Sequence, residues 1–108
     1  ICRKYRFDVA NIFHAGDGNL HPLILYNAND HLQLERVELC GAEILKLCVD
    51  LGGCLTGEHG VGIEKRELMQ FQFNDADLAQ QMRVKQAFDP DWLLNPAKVF
   101  PLEGRERQ

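Results

Sequence analysis

At 108 residues the chain makes one small domain at most, and a core of that size leaves room for dependence on a neighbouring surface. Its composition is ordinary for a globular protein, 45% hydrophobic and 26% charged, with a formal net charge of −4. The basic residues are short clusters, Lys65 and Arg66 or Arg105 and Arg107, interleaved with Glu, so nothing favours a nucleic-acid partner.

The longest strongly apolar run, Leu23 to Tyr26, is too short to span a bilayer, and no signal peptide is visible. A cytoplasmic protein is expected, with membrane association only through partner subunits. The opening at Ile1, followed by Cys2, Arg3, Lys4 and Arg6, suits a fragment or a processed chain. Of the four cysteines, none lies in a CxxC pair, and Cys40 and Cys48 fall in a helical pattern beside Leu and Val. Buried thiols are expected rather than disulfides.

Val9 to His14 reads as a strand and Asn19 to Tyr26 as a second extended stretch, with Gly16-Asp17-Gly18 between them. On one uninterrupted strand His14 and His21 would point to opposite sides, so a turn or bulge at the glycines is needed for them to converge. The alternative is a plain hairpin with unrelated histidines. Asn29 or Asp30 caps a helix over Leu34 to Leu51, where Val37, Cys40, Ile44, Leu47, Cys48 and Leu51 recur at helical spacing. Gly52-Gly53 ends it.

Cys54 to Gly62 reads as a glycine-rich loop opened by one short strand, and Glu64 to Phe71 as a short helix. Asn74 or Asp75 caps a further helix over Leu78 to Phe88, with Leu78, Ala79, Met82, the Lys85 stem and Phe88 as its apolar members. Asp89-Pro90-Asp91 ends that helix, Asn95-Pro96 breaks any continuation, and the charged residues after Pro101 are expected to fray. The pattern is α+β, with a sheet that needs strands from before Ile1 to be complete.

Three of the four histidines sit in extended or glycine-rich contexts: His14 and His21 around the turn, and His59 beside Glu58 between Gly57 and Gly60. Two imidazoles and a carboxylate are a common three-ligand set for a divalent metal with an open position, suited to Zn²⁺ and compatible with Mn²⁺, Co²⁺ or Fe²⁺. Such a metal would hold an α-hydroxy acid through its hydroxyl and carboxylate and acidify the hydroxyl. His59 is then placed to take the hydroxyl proton near neutral pH. Spacing alone leaves open whether Glu58 or His59 ligates, and Cys54 is an alternative ligand. Asp17, between two glycines, is the simpler reading as a turn residue, and His31 as a solvated helix-start residue.

The segments HAGDGNLHP from His14 to Pro22, GGCLTGEHGVGIEK from Gly52 to Lys65, AFDP from Ala87 to Pro90 and LNPAKVF from Leu94 to Phe100 stand in one order along nearly the whole chain. In them the sequence resembles the C-terminal region of FAD-linked oxidases of the vanillyl-alcohol-oxidase type. It is most similar there to the glycolate oxidase branch, close to the D-lactate and D-2-hydroxyglutarate dehydrogenases. The resemblance implies that residues 1–108 are a fragment of the substrate-binding cap domain, a ferredoxin-like sheet with helices, with residues 90–100 returning towards the flavin domain.

It further implies His14, His21 and Glu58 as metal ligands, His59 as the base, and Asn19 as support for substrate or ligand loop. Asn95 and Lys98, with the backbone at Gly57 and Gly60, would face the flavin. FAD would be held mostly by a domain preceding this segment, which alone would be inactive. The intact enzyme would oxidise a (D)-2-hydroxy acid such as glycolate or D-lactate to the 2-oxo acid, with reoxidation through electron-transfer subunits or a respiratory acceptor. The family often has glycine where this chain has Ala97, a change that is mild if φ there is negative.

Two other functions use the same residues. A metal-dependent hydrolase would set a water on the three ligands, but no HExxH frame on a helix supplies its base. A non-catalytic metal-binding or interface module would hold a fully coordinated ion without flavin.

Overall fold

The computed structural model describes residues 1–102, and the chain divides into two compact units, Ile1–Leu47 and Cys48 onward. In the first unit β1 (Asp8–His14) and β2 (Asn19–Leu25) pair antiparallel, with Ile12 opposite His21 and His14 opposite Asn19. A 3₁₀ turn over Ala15–Asp17 joins them, and Gly18 closes it at φ +66°, its N–H donating to the Ala15 carbonyl. A left-handed residue is what this turn needs, and glycine supplies it without a Cβ clash. Gly16 adopts no such conformation, so only one of the two glycines serves the turn in that way.

The sheet has two strands among the described residues, and every residue of β1 is exposed. Ile12, Phe13, Leu20 and Leu25 are more than half exposed, which is a large apolar surface for a hairpin. A two-stranded ribbon is marginal by itself.

The long helix α1 spans His31–Asp50, beginning three residues before the expected start at Leu34. The cap explains the difference. Asp30 Oδ1 accepts from the N–H groups of Leu32 and Gln33 at 3.0 and 3.3 Å, satisfying two amides that the helix leaves unpaired. His31 is the first helical residue and is exposed, as expected.

The N-terminal turn docks on this helix. Glu43 accepts from Tyr5 Oη at 2.7 Å and from Lys4 Nζ at 3.1 Å, and Arg36 lies over the Phe7 ring while donating to the Tyr5 carbonyl. The Tyr5 and Lys4 hydrogen bonds hold the Glu43 carboxyl below its usual range. Beneath them Phe7 and Cys40 are buried. The Cys2 sulfur lies 3.8 Å from that of Cys40, and burial, with the neighbouring thiol, pushes Cys40 up to about 11.

All four cysteines are free, but the buried-thiol expectation holds only at Cys40; Cys2 and Cys48 are half-buried and Cys54 is exposed. The apolar stripe of α1 is likewise narrower than its periodicity suggests. Leu47 is exposed, and Leu51 lies past the helix end with 79% of its surface open.

In the second unit the chain leaves α1 through Gly52 at φ +91°. No strand opens the following loop. Leu55 instead plugs the core at 2% exposure, its N–H held by Gln72 Oε1 at 2.9 Å. The expected helix from Glu64 resolves into a 3₁₀ turn, Arg66–Leu68, and one helical turn, α2 (Met69–Gln72).

Asn74 then caps α3 (Asp75–Phe88) in a reciprocal box with Asp77, at 2.8 and 3.2 Å, a device worth about 1 kcal/mol. Leu78 and Met82 face inward onto a core with Met69, Trp92 and Phe100, the last two rings meeting edge to face at 6.0 Å. Phe88, expected on that face, is instead 87% exposed, because the helix ends there and turns its last side chain outward.

Leu102 is anchored by Glu67 Oε1 at 2.9 Å. The tail expected to fray begins after Pro101, so the anchored Leu102 departs from that expectation, and residues 103–108 lie outside the described residues. Among the described residues, no helix is long and apolar enough to cross a membrane.

Candidate functional site

The hairpin decides the relation of the two turn histidines. Cross-strand partners share a face, so Ile12, His14, Asn19 and His21 all project from one side of the ribbon. His14 and His21 are diagonal neighbours there, their ring centroids 5.2 Å apart and their planes at 79°. One nitrogen from each ring lies within 4.8 Å of the other. Two nitrogens on one tetrahedral ion stand roughly 3.4 Å apart, so a small side-chain rotation suffices for both to ligate. No bulge is required, and the alternative of unrelated histidines falls. Asn19, directly opposite His14, is on the same face and half-buried. Asp17 ends the 3₁₀ turn and is exposed, in keeping with a turn role.

In the second unit Glu58 and His59 sit at the tip of a small closed loop. Thr56 Oγ1 accepts from the Gly60 N–H at 2.8 Å across the loop, and Cys54 Sγ donates to the Thr56 carbonyl at 3.2 Å. The two hydrogen bonds fix the backbone from which the side chains of Glu58 and His59 start. Thr56 stands outside the residues that motif and spacing single out; a hydroxyl two residues before a Glu-His pair, with Gly60 beyond, is the signal that marks it. Gly60 at φ +86° and Gly62 at φ +53° carry the chain through conformations that disfavour a side chain.

His59, Gly60, Val61, Gly62, Lys65 and Lys98 contribute to the lining of a cavity of about 420 Å³. Of the residues expected on the flavin side, Lys98 and Gly60 are therefore brought together with His59, whereas Asn95 and Gly57 do not line that cavity, and neither does Glu58, expected as a metal ligand. The larger concavity of this unit, about 690 Å³, runs along α3 beside Trp92 and Pro101 and contains none of the expected site residues.

Lys98 is carried by an unusual stretch. Trp92, Asn95, Ala97 and Val99 all have positive φ, at 53°, 48°, 58° and 70°. The expectation for Ala97 is overturned: its φ is left-handed, where a methyl group crowds the carbonyl at a cost of about 1 kcal/mol that glycine would avoid. The stretch is secured at its start by Asp89, a buried carboxylate that accepts from Leu93 N–H at 3.0 Å, from Leu94 N–H at 2.9 Å and from Lys85 Nζ. The Lys85 contact and the two backbone N–H groups hold the Asp89 carboxyl below its usual range. Lys85 also donates to the Leu94 carbonyl at 2.8 Å and lies over the Trp92 ring.

The chain belongs to the family described as FAD linked oxidases, C-terminal domain, whose model matches residues 1–99. Within the class it is 52% identical over 101 residues to the glycolate oxidase subunit GlcD of Escherichia coli (strain K12), covering 94% of this chain and 20% of that protein. It is 39% identical over 107 residues to the glycolate oxidase subunit GlcD of Bacillus subtilis, covering 99% of this chain and 23% of that one. The mitochondrial D-lactate dehydrogenase [cytochrome] of Kluyveromyces lactis is 38% identical over 95 residues, which is 88% of this chain and 16% of the relative. The chain thus spans less than a quarter of the length of these relatives.

Proposed function

We propose that this chain is the metal- and substrate-binding part of a flavin-dependent dehydrogenase that oxidises a (D)-2-hydroxy acid, glycolate or D-lactate, to the 2-oxo acid. The observation that carries the proposal is the diagonal pairing of His14 and His21 on one face of the hairpin. With Glu58, the third ligand that the family resemblance implies, they would make a donor set of two imidazoles and a carboxylate that fits a divalent cation such as Zn²⁺, Mn²⁺, Fe²⁺ or Co²⁺ and would leave a position for substrate. The relatives named for glycolate and D-lactate support the substrate class.

When bound, the cation would supply the positive charge that acidifies the substrate hydroxyl, and FAD an acceptor for the hydride leaving Cα. His59 takes the hydroxyl proton; imidazole is the side chain suited to that exchange near neutral pH. Asn19, beside His14, supports the substrate or the ligand face. The ammonium of Lys98, Asn95, and the backbone at Gly57 and Gly60 form the flavin side, and closely approaching glycine backbone suits a flat ring.

The hairpin belongs on this proposal to a larger ferredoxin-like cap sheet, whose other strands would cover the exposed Ile12, Phe13 and Leu20. Residues 90–100 would return towards a separate FAD-binding domain. Electrons would leave through partner subunits or a respiratory acceptor, from a protein resident in the cytoplasm.

The test uses the full-length protein. Anaerobic addition of glycolate or D-lactate should bleach its flavin absorbance, and metal analysis should find one divalent cation that depends on His14 and His21. Flavin that stays oxidised with every 2-hydroxy acid tried would end the proposal. The hydrolase alternative gains nothing from the structure, since Glu58 and His59 stand on a loop and not on a helical HExxH frame.

A further inference from the structure

The stretch from Trp92 to Val99, with four left-handed non-glycine residues, keeps its shape only if surrounding groups over-determine it. Its beginning is tied by Asp89 and Lys85, and its end by the Val99 N–H, which donates to the Gly62 carbonyl at 2.8 Å. Between these ties the chain is held by one side chain from far away in the sequence. Arg66 Nη1 donates to the carbonyl oxygen of Ala97 at 2.6 Å.

The Arg66 side chain is only 17% exposed, and its Nε lies 3.6 Å from Glu67 Oε1, an oxygen that also receives the Leu102 N–H. Arg66 is thus oriented on one side and bonded on the other, and a charged donor makes the stronger kind of hydrogen bond. The carbonyl it holds belongs to the peptide that leads directly into Lys98, and Lys98 shares the 420 Å³ cavity with His59.

We propose that Arg66 is a positioning residue: by holding the Ala97 carbonyl it sets where the Lys98 ammonium stands in the His59 cavity. What the lysine does there rests on the flavin-dehydrogenase reading; where it is held does not. A merely structural Arg66 would steady the whole second unit, whereas a positioning Arg66 acts on a few residues and on the chemistry they serve.

The experiment compares full-length wild type with Arg66→Gln and Arg66→Lys in three measurements. Amide hydrogen exchange in Arg66→Gln should accelerate at least tenfold across residues 97–100, with α3 unchanged. Reductive methylation of Lys98 should change in rate at least threefold. The rate of flavin reduction at saturating 2-hydroxy acid should fall about tenfold, while KM moves less than twofold. Arg66→Lys, which keeps a charged donor, should recover most of each loss, and it carries the comparison if the Gln variant does not fold.

Unchanged exchange and unchanged Lys98 labelling in Arg66→Gln would overturn the proposal, as would loosening spread equally into α3. A normal reduction rate in a variant whose segment has loosened would overturn it too. If wild-type flavin is not reduced by any 2-hydroxy acid, the functional reading fails separately, and exchange and labelling still decide how Lys98 is held.

Discussion

His14 and His21, seven positions apart in the chain, meet edge to face because His21 sits opposite Ile12 and His14 follows Ile12 by two residues on the same face. Their convergence is a property of the strand register. A one-residue slip would send every side chain of one strand to the other face and separate the rings.

The turn that sets this register depends on Gly18. Gly18→Val puts a β-branched residue at φ +66° and should cost at least 1 kcal/mol in hairpin stability. Metal content of the full-length protein should drop with it, whereas Gly16→Ala, at a position with open space and no left-handed φ, should leave the metal in place. Metal analysis of the two variants after dialysis checks the pair; equal retention in both would separate the turn from the metal site.

His59→Ala should keep most of the flavin, since that side chain comes from an exposed loop tip outside the buried core. As the proposed base, its loss should lower the rate of flavin reduction about 10²- to 10⁴-fold. Stopped-flow reduction in the absence of oxygen measures this, and a rate within a few-fold of wild type would remove His59 from that role.

Ala97→Gly should raise stability by about 1 kcal/mol, because the left-handed backbone at φ +58° no longer carries a methyl group. Thermal or urea unfolding of the full-length protein would register it. A loss of stability on this substitution would show that the conformation costs alanine nothing.

Asp89 gives a pH prediction. Lys85 and the N–H groups of Leu94 and Leu93 depress its folded-state pKa, so its contribution is present above the unfolded value, near pH 4, and is lost as pH falls through the folded value. Asp89→Asn should therefore destabilise the protein at pH 7 and narrow the gap to wild type progressively below about pH 4. Unfolding midpoints measured from pH 7 to pH 3 would follow it. A gap that stays constant across that range would mean the carboxylate charge contributes nothing.

Much of the local structure is legible in the chain itself. Residue type marks Asn74 or Asp75 as the cap of α3, and the structure selects Asn74, in a reciprocal box with Asp77. The hairpin strands, the long helix and its stop at Gly52 follow from side-chain periodicity and from the one residue type that turns left-handed freely. Burial is less legible. Periodicity puts Leu47, Leu51 and Phe88 on inner faces, yet all three are exposed, because a repeating pattern does not tell where packing stops.

The sequence by itself determined which chemistry is available: three histidines and a carboxylate in extended or glycine-rich contexts, in an order that resembles a family of flavin enzymes. Tertiary structure alone decided that His14 and His21 share a face, that Ala97 is left-handed, and that Arg66 reaches its carbonyl from 31 positions away. The reason is physical. Composition and spacing fix local torsional preferences, whereas strand register and long-range hydrogen bonds are set by which distant groups can satisfy one another once the chain has closed on itself.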